Sequence, residues 1–218
     1  HRIPSSVENC TDDPKEYSLK FTLLSFAMVI ATYSGLASGA DVSAGKAGYA
    51  VCMACHGADA AGNKALNAPA LAALPEWYVQ RQLNNYKQGI RGAHRDDMFG
   101  AQMRPMAMVL TTDAAVADVS AYVASLPRTA PAPTPGGNAS KGKAQYAVCL
   151  ACHGASGEGN KALNAPPLAG QHDWYIARQL ANFKAGVRGA HPKDSFGAQM
   201  RPMAMVLQNE QAIKDVSA

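Results

Sequence analysis

VCMACHG (residues 51–57) and VCLACHG (148–154) decide how this chain is read. Each holds the spacing C-x-x-C-H, with Cys52, Cys55 and His56 in the first and Cys149, Cys152 and His153 in the second. On a helix, residues three apart share a face, so each thiol pair can add to the two vinyl groups of one haem and hold it edge-on. The adjacent histidine then lies under the iron, where an imidazole nitrogen supplies one axial bond. A redox disulfide of thioredoxin type would need a βαβ surrounding, and a zinc site would need two more ligands nearby in sequence; neither accompanies these pairs. The spacing therefore predicts two covalently bound haem c groups. Covalent tethering also keeps a large cofactor on a domain too small to enclose it by burial alone.

The two motifs belong to an internal repeat. Shifted by 97 residues, 45–121 aligns with 142–218 without a gap and matches at about two-thirds of positions. Between the copies, PRTAPAPTPGGNAS (127–140) has the Pro and Gly content of a semi-extended linker and excludes a packed helix or central strand. The expected organisation is an upstream extension plus secretory signal at 1–40, one domain at 41–126, the linker at 127–140, and a second domain at 141–218. Ala218 aligns with Ala121, so the second copy lacks counterparts of Tyr122, Val123 and Leu126 and is expected to be the less stable half.

Helical signals dominate each copy. Ser43 is the expected cap of a helix running through AGKAGYAVCMAC, and a second helix begins near Glu76, with Val79, Leu83 and Tyr86 at helical spacing, and stops at Gly89. A third starts after Thr112 and lines up Val116, Val119, Val123 and Leu126. No alternating strand pattern appears, so the fold class is all-α, two small tandem domains. Aromatic residues are only 7% of the 218, which leaves a thin side-chain core for two such domains and room for a cofactor to complete it.

Lys15 and Lys20 precede the apolar run FTLLSFAMVIATYSGL (21–36) and the small residues Ser38, Gly39 and Ala40, a secretory-signal pattern with cleavage expected before Asp41. An uncleaved anchor is the alternative, but the run falls short of the roughly 20 residues a spanning helix needs. Residues 1–14, including Cys10, lie upstream of that signal and read as extra translated sequence. Without 1–40 the formal charge rises from +4 to +5, because Arg2, Lys15 and Lys20 leave with Glu8, Asp12, Asp13 and Glu16. That mild basic bias suits an acidic protein face and lacks the clustered runs of a nucleic-acid binder.

The second stretch that recurs unchanged is FGAQMRPMAMVL, at 99–110 and 196–207. Each copy offers three methionines, and a thioether on the far side of the iron would favour Fe(II) and close the sixth position. His94 and His191, in matching R-G-A-H segments, are the histidine alternative. His172 has no counterpart, Pro75 standing in its place, and reads as structural or exposed.

Each half resembles a small class I cytochrome c, and the tandem resembles the dihaem cytochrome c4 family over essentially all of 41–218. The matching pieces are G-K-A-x-Y-A-V-C, C-x-x-C-H-G, N-A-P-x-L-A, W-Y-x-x-R-Q-L, the G-x-R-G segment and M-R-P-M-A-M-V-L. The resemblance implies single-electron transfer between membrane-bound respiratory complexes in the periplasm, from a donor complex to a terminal oxidase or other acceptor, by a monomeric carrier that is not an enzyme. In that family the sixth ligand stands seven residues before the leucine leading into the last helix, which implies Met103 and Met200. Met106 and Met203 are the alternatives, and Met108 and Met205 are expected to pack around the porphyrin. The family also implies a proline carbonyl behind each axial histidine, matched by Pro69 and Pro166. Arg91, Arg188, Trp77, Trp174, Arg81 and Arg178 recur in both halves as candidate donors to the haem propionates. Leu168-Ala169-Gly170-Gln171 fits the family's L-A-G-Q, whereas the first half reads Leu71-Ala72-Ala73-Leu74, so a rebuilt turn and unequal reduction potentials are expected. The other functional readings are a haem subunit of a larger redox enzyme, such as a flavocytochrome sulfide dehydrogenase or an oxidase-associated cytochrome, and a peroxidase-like enzyme with an open haem position.

Overall fold

A computed structural model describes residues 39–218; the secretory-signal reading falls almost entirely outside these residues. The described chain is helical, with α1 Val42–Tyr49, α2 Met53–His56, α3 Glu76–Lys87, α4 Met98–Met108 and α5 Asp113–Ser125 in the first half. The second half repeats them as α6 Ala139–Gln145, α7 Leu150–His153, α8 Asp173–Lys184, α9 Ser195–Met205 and α10 Glu210–Ser217. Among the described residues the only β pairing is an isolated bridge in each half, Asn63 with Ala68 and Asn160 with Ala165.

The expected α1 cap, the single helix through Cys52 and the linker bounds need correcting. The cap of α1 is Asp41, not Ser43: its carboxylate accepts from the Ser43 and Ala44 amides, so the hydroxyl two residues on is not needed. The segment through Cys52 is two helices, because the Cys52 amide bonds back only three residues to Tyr49 (2.8 Å) and the tightened turn re-aims the chain. The methionine segments are helices α4 and α9, although each contains an interior proline, Pro105 or Pro202. Proline removes one helical donor. Here Asp97 and Asp194 cap the helices, and the Lys87 and Lys184 ammonium groups close the other ends on the Leu110 and Leu207 carbonyls. The expected linker also ends two residues early, since Asn138 caps α6 and Ala139 is already helical.

The core of the first half forms where α1 crosses α5, with Tyr49, Val116, Val119 and Val123 buried beside Val79 of α3 and Leu110. The crossing is close because Gly45 has no side chain; a Cβ there would stand 2.0 Å from the Asp118 carbonyl oxygen. Gly142 and Asp215 repeat the arrangement at 1.9 Å. Tyr49, only 1% exposed, donates its hydroxyl to the Gly57 carbonyl (2.9 Å), fastening α1 to the turn after the histidine. Tyr146 does the same for Gly154 (2.8 Å).

The halves are joined by polar contacts that run both ways. Arg81 donates from Nη1 and Nη2 to the Asn164 side chain and carbonyl (both 3.0 Å), and Arg178 repeats this fork on Asn67 (2.9 and 3.0 Å). Gln171 pairs twice with the Ala70 backbone (3.1 and 2.8 Å), and His172 bonds the Ala61 carbonyl through Nε2 (2.8 Å). His172 is therefore structural, a strut with no reciprocal. The linker is pinned where Thr134 gives both its amide and its hydroxyl to Asp173, while Lys64 of the first half reaches the same hydroxyl (3.3 Å).

The turn at Leu71-Ala72-Ala73-Leu74 is not rebuilt. Ala73 takes φ 58°, the left-handed conformation that Gly170 takes at 81° in the second half. An alanine is strained there, whereas glycine is not. Replacing Ala73 with glycine is expected to raise stability by up to about 1 kcal/mol, read as a higher urea midpoint at unchanged m. Burial pushes the Asp173 carboxyl up, but hydrogen bonds from Thr134 and the Trp174 amide outweigh it and hold its pKa below the ordinary aspartate value. A depressed folded-state pKa means that this contribution is present above the unfolded pKa and is lost as pH falls through the folded one. Asp173→Asn should thus lower the urea midpoint at neutral pH, and the gap to wild type should close on acidification.

Candidate functional site

One cavity of about 660 Å³ runs through both halves. Both C-x-x-C-H motifs open onto it, and so do Met103, Met106, Met200 and Met203. Its wall is mostly apolar, with Leu71, Val79 and Leu83 in the first half and Leu168, Ile176 and Leu180 in the second. The volume lies within the range of small-molecule and cofactor sites.

Among the lining residues, His56 and His153 are 4% and 5% exposed. Each commits Nδ1 to a carbonyl, His56 to Pro69 and His153 to Pro166, both at 2.8 Å. Burial holds both imidazoles below the usual histidine pKa, more than the carbonyl contact restores, so the rings are neutral at physiological pH. A neutral ring donating from Nδ1 keeps its lone pair on Nε2, the form a metal binds. Cys52 and Cys149 are half-buried, Cys55 and Cys152 exposed, and none of the four is in a disulfide. Burial pushes the Cys52 thiol up to about 11. Among the described residues no three His, Cys, Asp or Glu side chains converge, so the cysteine pairs lack the further ligands of a zinc site.

α4 and α9 also line the cavity, with Met103 and Met106, and Met200 and Met203, at helical spacing three apart. Met108 and Met205 were expected to pack and do not: they are 59% and 60% exposed, because five residues beyond the first methionine the helix has turned them outward. His94 and His191 are exposed and do not line the cavity.

The candidate propionate donors separate into three groups. Arg91 and Arg188 are buried on the cavity wall; Arg91 gives Nη1 to Gln82 (2.6 Å) and Nη2 to Gln179 (3.3 Å), and Arg188 gives Nη1 to Gln179 (2.6 Å). The Nε–H of each is buried with no protein partner. Burial works against the Arg91 charge, but the phenols of Tyr86, Tyr175 and Tyr78 around it more than compensate, so it stays cationic. Orphaned cationic donors in an otherwise apolar wall fit the acidic edge of a c-type haem. Arg81 and Arg178, by contrast, spend their forks on the opposite half. Trp77 and Trp174 do not line the cavity and lie under these two arginines, 4.9 and 5.0 Å from ring centre to guanidinium.

Asn67, Asn164, Asp97, Asp194, Gln82 and Gln179 were not singled out from sequence. Asp97 ties the R-G segment to the methionine helix by accepting from the Gly92 (3.1 Å) and Gly100 (3.0 Å) amides. The available signal was that all six positions are identical in the two copies, with Asp97 and Asp194 standing in helix-cap position.

The sequence profile of the cytochrome c family matches residues 42–127 and again 139–218. Cytochrome c4 of Azotobacter vinelandii is 35% identical over 200 residues, covering 85% of this chain and 89% of its own. A thiosulfate dehydrogenase electron acceptor of Stutzerimonas stutzeri is 34% identical, covering 70% and 72%. The crystal structure of reduced recombinant cytochrome c4 from Pseudomonas stutzeri superposes with a TM-score of 0.69 at 31% identity, covering 82% of this chain and 96% of that one. The chain belongs to the cytochrome c family, in its tandem, dihaem c4 branch. It carries two covalent haem c groups and is an electron-transfer protein rather than an enzyme.

Intact mass spectrometry tests the tether directly. The wild-type protein should carry two haems, Cys52→Ser/Cys55→Ser one, and the fourfold variant at Cys52, Cys55, Cys149 and Cys152 none.

Proposed function

We propose that the mature chain is an exported, periplasmic carrier that takes single electrons from a donor complex and hands them to a terminal oxidase or another acceptor. In this reading each domain, 41–126 and 141–218, holds one haem c. The thioethers come from Cys52 and Cys55 or Cys149 and Cys152, and the axial pairs are His56 with Met103 and His153 with Met200. When bound, such a haem supplies a reversible Fe(III)/Fe(II) couple with both axial positions filled. The observation that carries the reading is that one cavity is lined both by neutral histidines fixed through Nδ1 and by helices bearing methionine.

The chain's own residues set what that couple does. Pro69 and Pro166 orient the imidazoles and raise their basicity as ligands. Arg91 and Arg188 hold positive charge in the wall and offer their free Nε–H groups to the propionates. Filling both axial positions with side chains leaves no open coordination site, which speaks for outer-sphere transfer and against peroxidase chemistry. Met53 and Leu150, inside the C-x-x-C-H motifs, and Leu66 and Leu163, which line the cavity, lie exposed and can be covered by a redox partner.

A second reading has one specific support, the similarity to a protein named as a thiosulfate dehydrogenase electron acceptor. In it the donor is a dedicated sulfur-oxidising dehydrogenase rather than a respiratory complex, and the residues keep the same roles. Reduction of the purified protein by quinol-oxidising membranes or by a thiosulfate dehydrogenase separates the two.

The weak far-red band of methionine-to-iron coordination in the oxidised protein tests the ligands. Met103→Leu and Met200→Leu should each remove about half of it, while Met106→Leu and Met203→Leu leave it intact; the opposite pattern would transfer the ligand role. A redox titration should resolve two steps, since Tyr86 beside Arg91 is replaced by Phe183 beside Arg188.

A further inference from the structure

We infer that Arg81 and Arg178 are positioning residues that act in trans, each fixing in the other half the separation between the histidine loop and the methionine helix. The inference rests on the axial reading of His56, Met103, His153 and Met200 for its functional meaning, and on contacts alone for its geometry.

Arg81 belongs to α3 of the first half and lies over Trp77 there, yet both of its terminal nitrogens donate to the second half. Its fork holds Asn164, two residues before the Pro166 carbonyl that receives His153 Nδ1. The same guanidinium lies over the Phe196 ring, 4.6 Å from its centre, and Phe196 stands four residues before Met200 on α9. Residues four apart on a helix occupy one face, so Phe196 and Met200 lie on the same side of α9, and both line the cavity. One side chain of the first half thus touches both the histidine loop and the methionine helix of the second. Arg178 is its mirror, forked onto Asn67, two residues before Pro69, and lying 4.3 Å from the centre of the Phe99 ring, four residues before Met103.

The chemistry explains why arginine stands here. A planar fork with donors on both terminal nitrogens can hold the side chain and carbonyl of one asparagine while its face stacks on an aromatic ring. Asn67 and Asn164 adopt left-handed backbone (φ 57° and 56°), and the side chain and carbonyl of each accept from one fork. A lysine ammonium keeps the charge but has a single donor nitrogen and no planar face, so it cannot fork onto the asparagine while stacking on the ring.

The test uses the holoprotein with both haems. In Arg81→Gln, amide hydrogen exchange should rise in peptides covering 160–166 and 195–205 and stay near wild type in 63–69 and 98–108; Arg178→Gln should give the reverse. Arg81→Lys should match Arg81→Gln, which separates fork from charge and serves if the glutamine variant folds poorly. Exchange that rises mainly in the arginine's own half, or a lysine variant that behaves as wild type, overturns the inference. A second readout uses the far-red band in a Met103→Leu background, where it reports only the second half. Arg81→Gln should weaken it there and Arg178→Gln should not. If the single methionine variants leave the whole band in place, the axial reading fails, and the exchange pattern still decides the clamp.

Discussion

Everything near the cavity is organised by one hydrogen bond, made once in each half, from a histidine Nδ1–H to a proline carbonyl. It fixes the tautomer, so the remaining nitrogen keeps its lone pair. It also ties the cysteine-bearing turn to a loop thirteen residues on, and both segments line the cavity. Proline suits this place: it has no N–H of its own, and its fixed φ holds the carbonyl direction. Around that bond the other contacts fall into sequence. The Tyr49 and Tyr146 hydroxyls secure the turn from behind, Asn67 and Asn164 end the loop, and the opposite half grips the asparagines.

Much of this was legible in the sequence because it is written in local patterns. C-x-x-C-H specifies the tether by spacing alone, the valines of α5 fall on one stripe, and Thr112 caps that helix as its sequence suggests. The methionine helices were not legible. An interior proline, Pro105, works against a helix by local rules, and only the folded chain brings Lys87 to the far end, onto the Leu110 carbonyl. The arginines show the other limit of a one-dimensional reading. Arg81 and Arg178 recur beside a presumed cofactor and so looked like propionate donors, but their partners lie 83 and 111 residues away, beyond any periodicity argument.

The repeat is close but not perfect, and its departures have physical consequences. Ala60 and Ala73 take positive φ where the second copy has Gly157 and Gly170, so the backbone path was kept while the residue that suits it was not. Tyr86 gives way to Phe183 next to the corresponding arginine, which places a phenol beside one site only. Asp97 satisfies both carboxylate oxygens, whereas one oxygen of Asp194 is buried without a partner. Tyr86, Phe183, Asp97 and Asp194 all line the cavity, so the two sites present different electrostatic surroundings while sharing one architecture.

The strap formed by residues 127–138 bears on how strong the contact between halves has to be. That contact is built mainly from forks, amides and carbonyls, and hydrogen bonds of this kind contribute only modestly when water competes for every partner. As two separate molecules the halves would associate weakly. Joined through a short strap pinned by Thr134 to Asp173, each meets the other at an effective concentration of about millimolar or more. Covalent continuity therefore does what a large apolar interface would otherwise have to do, and it leaves the apolar side chains free to line the cavity.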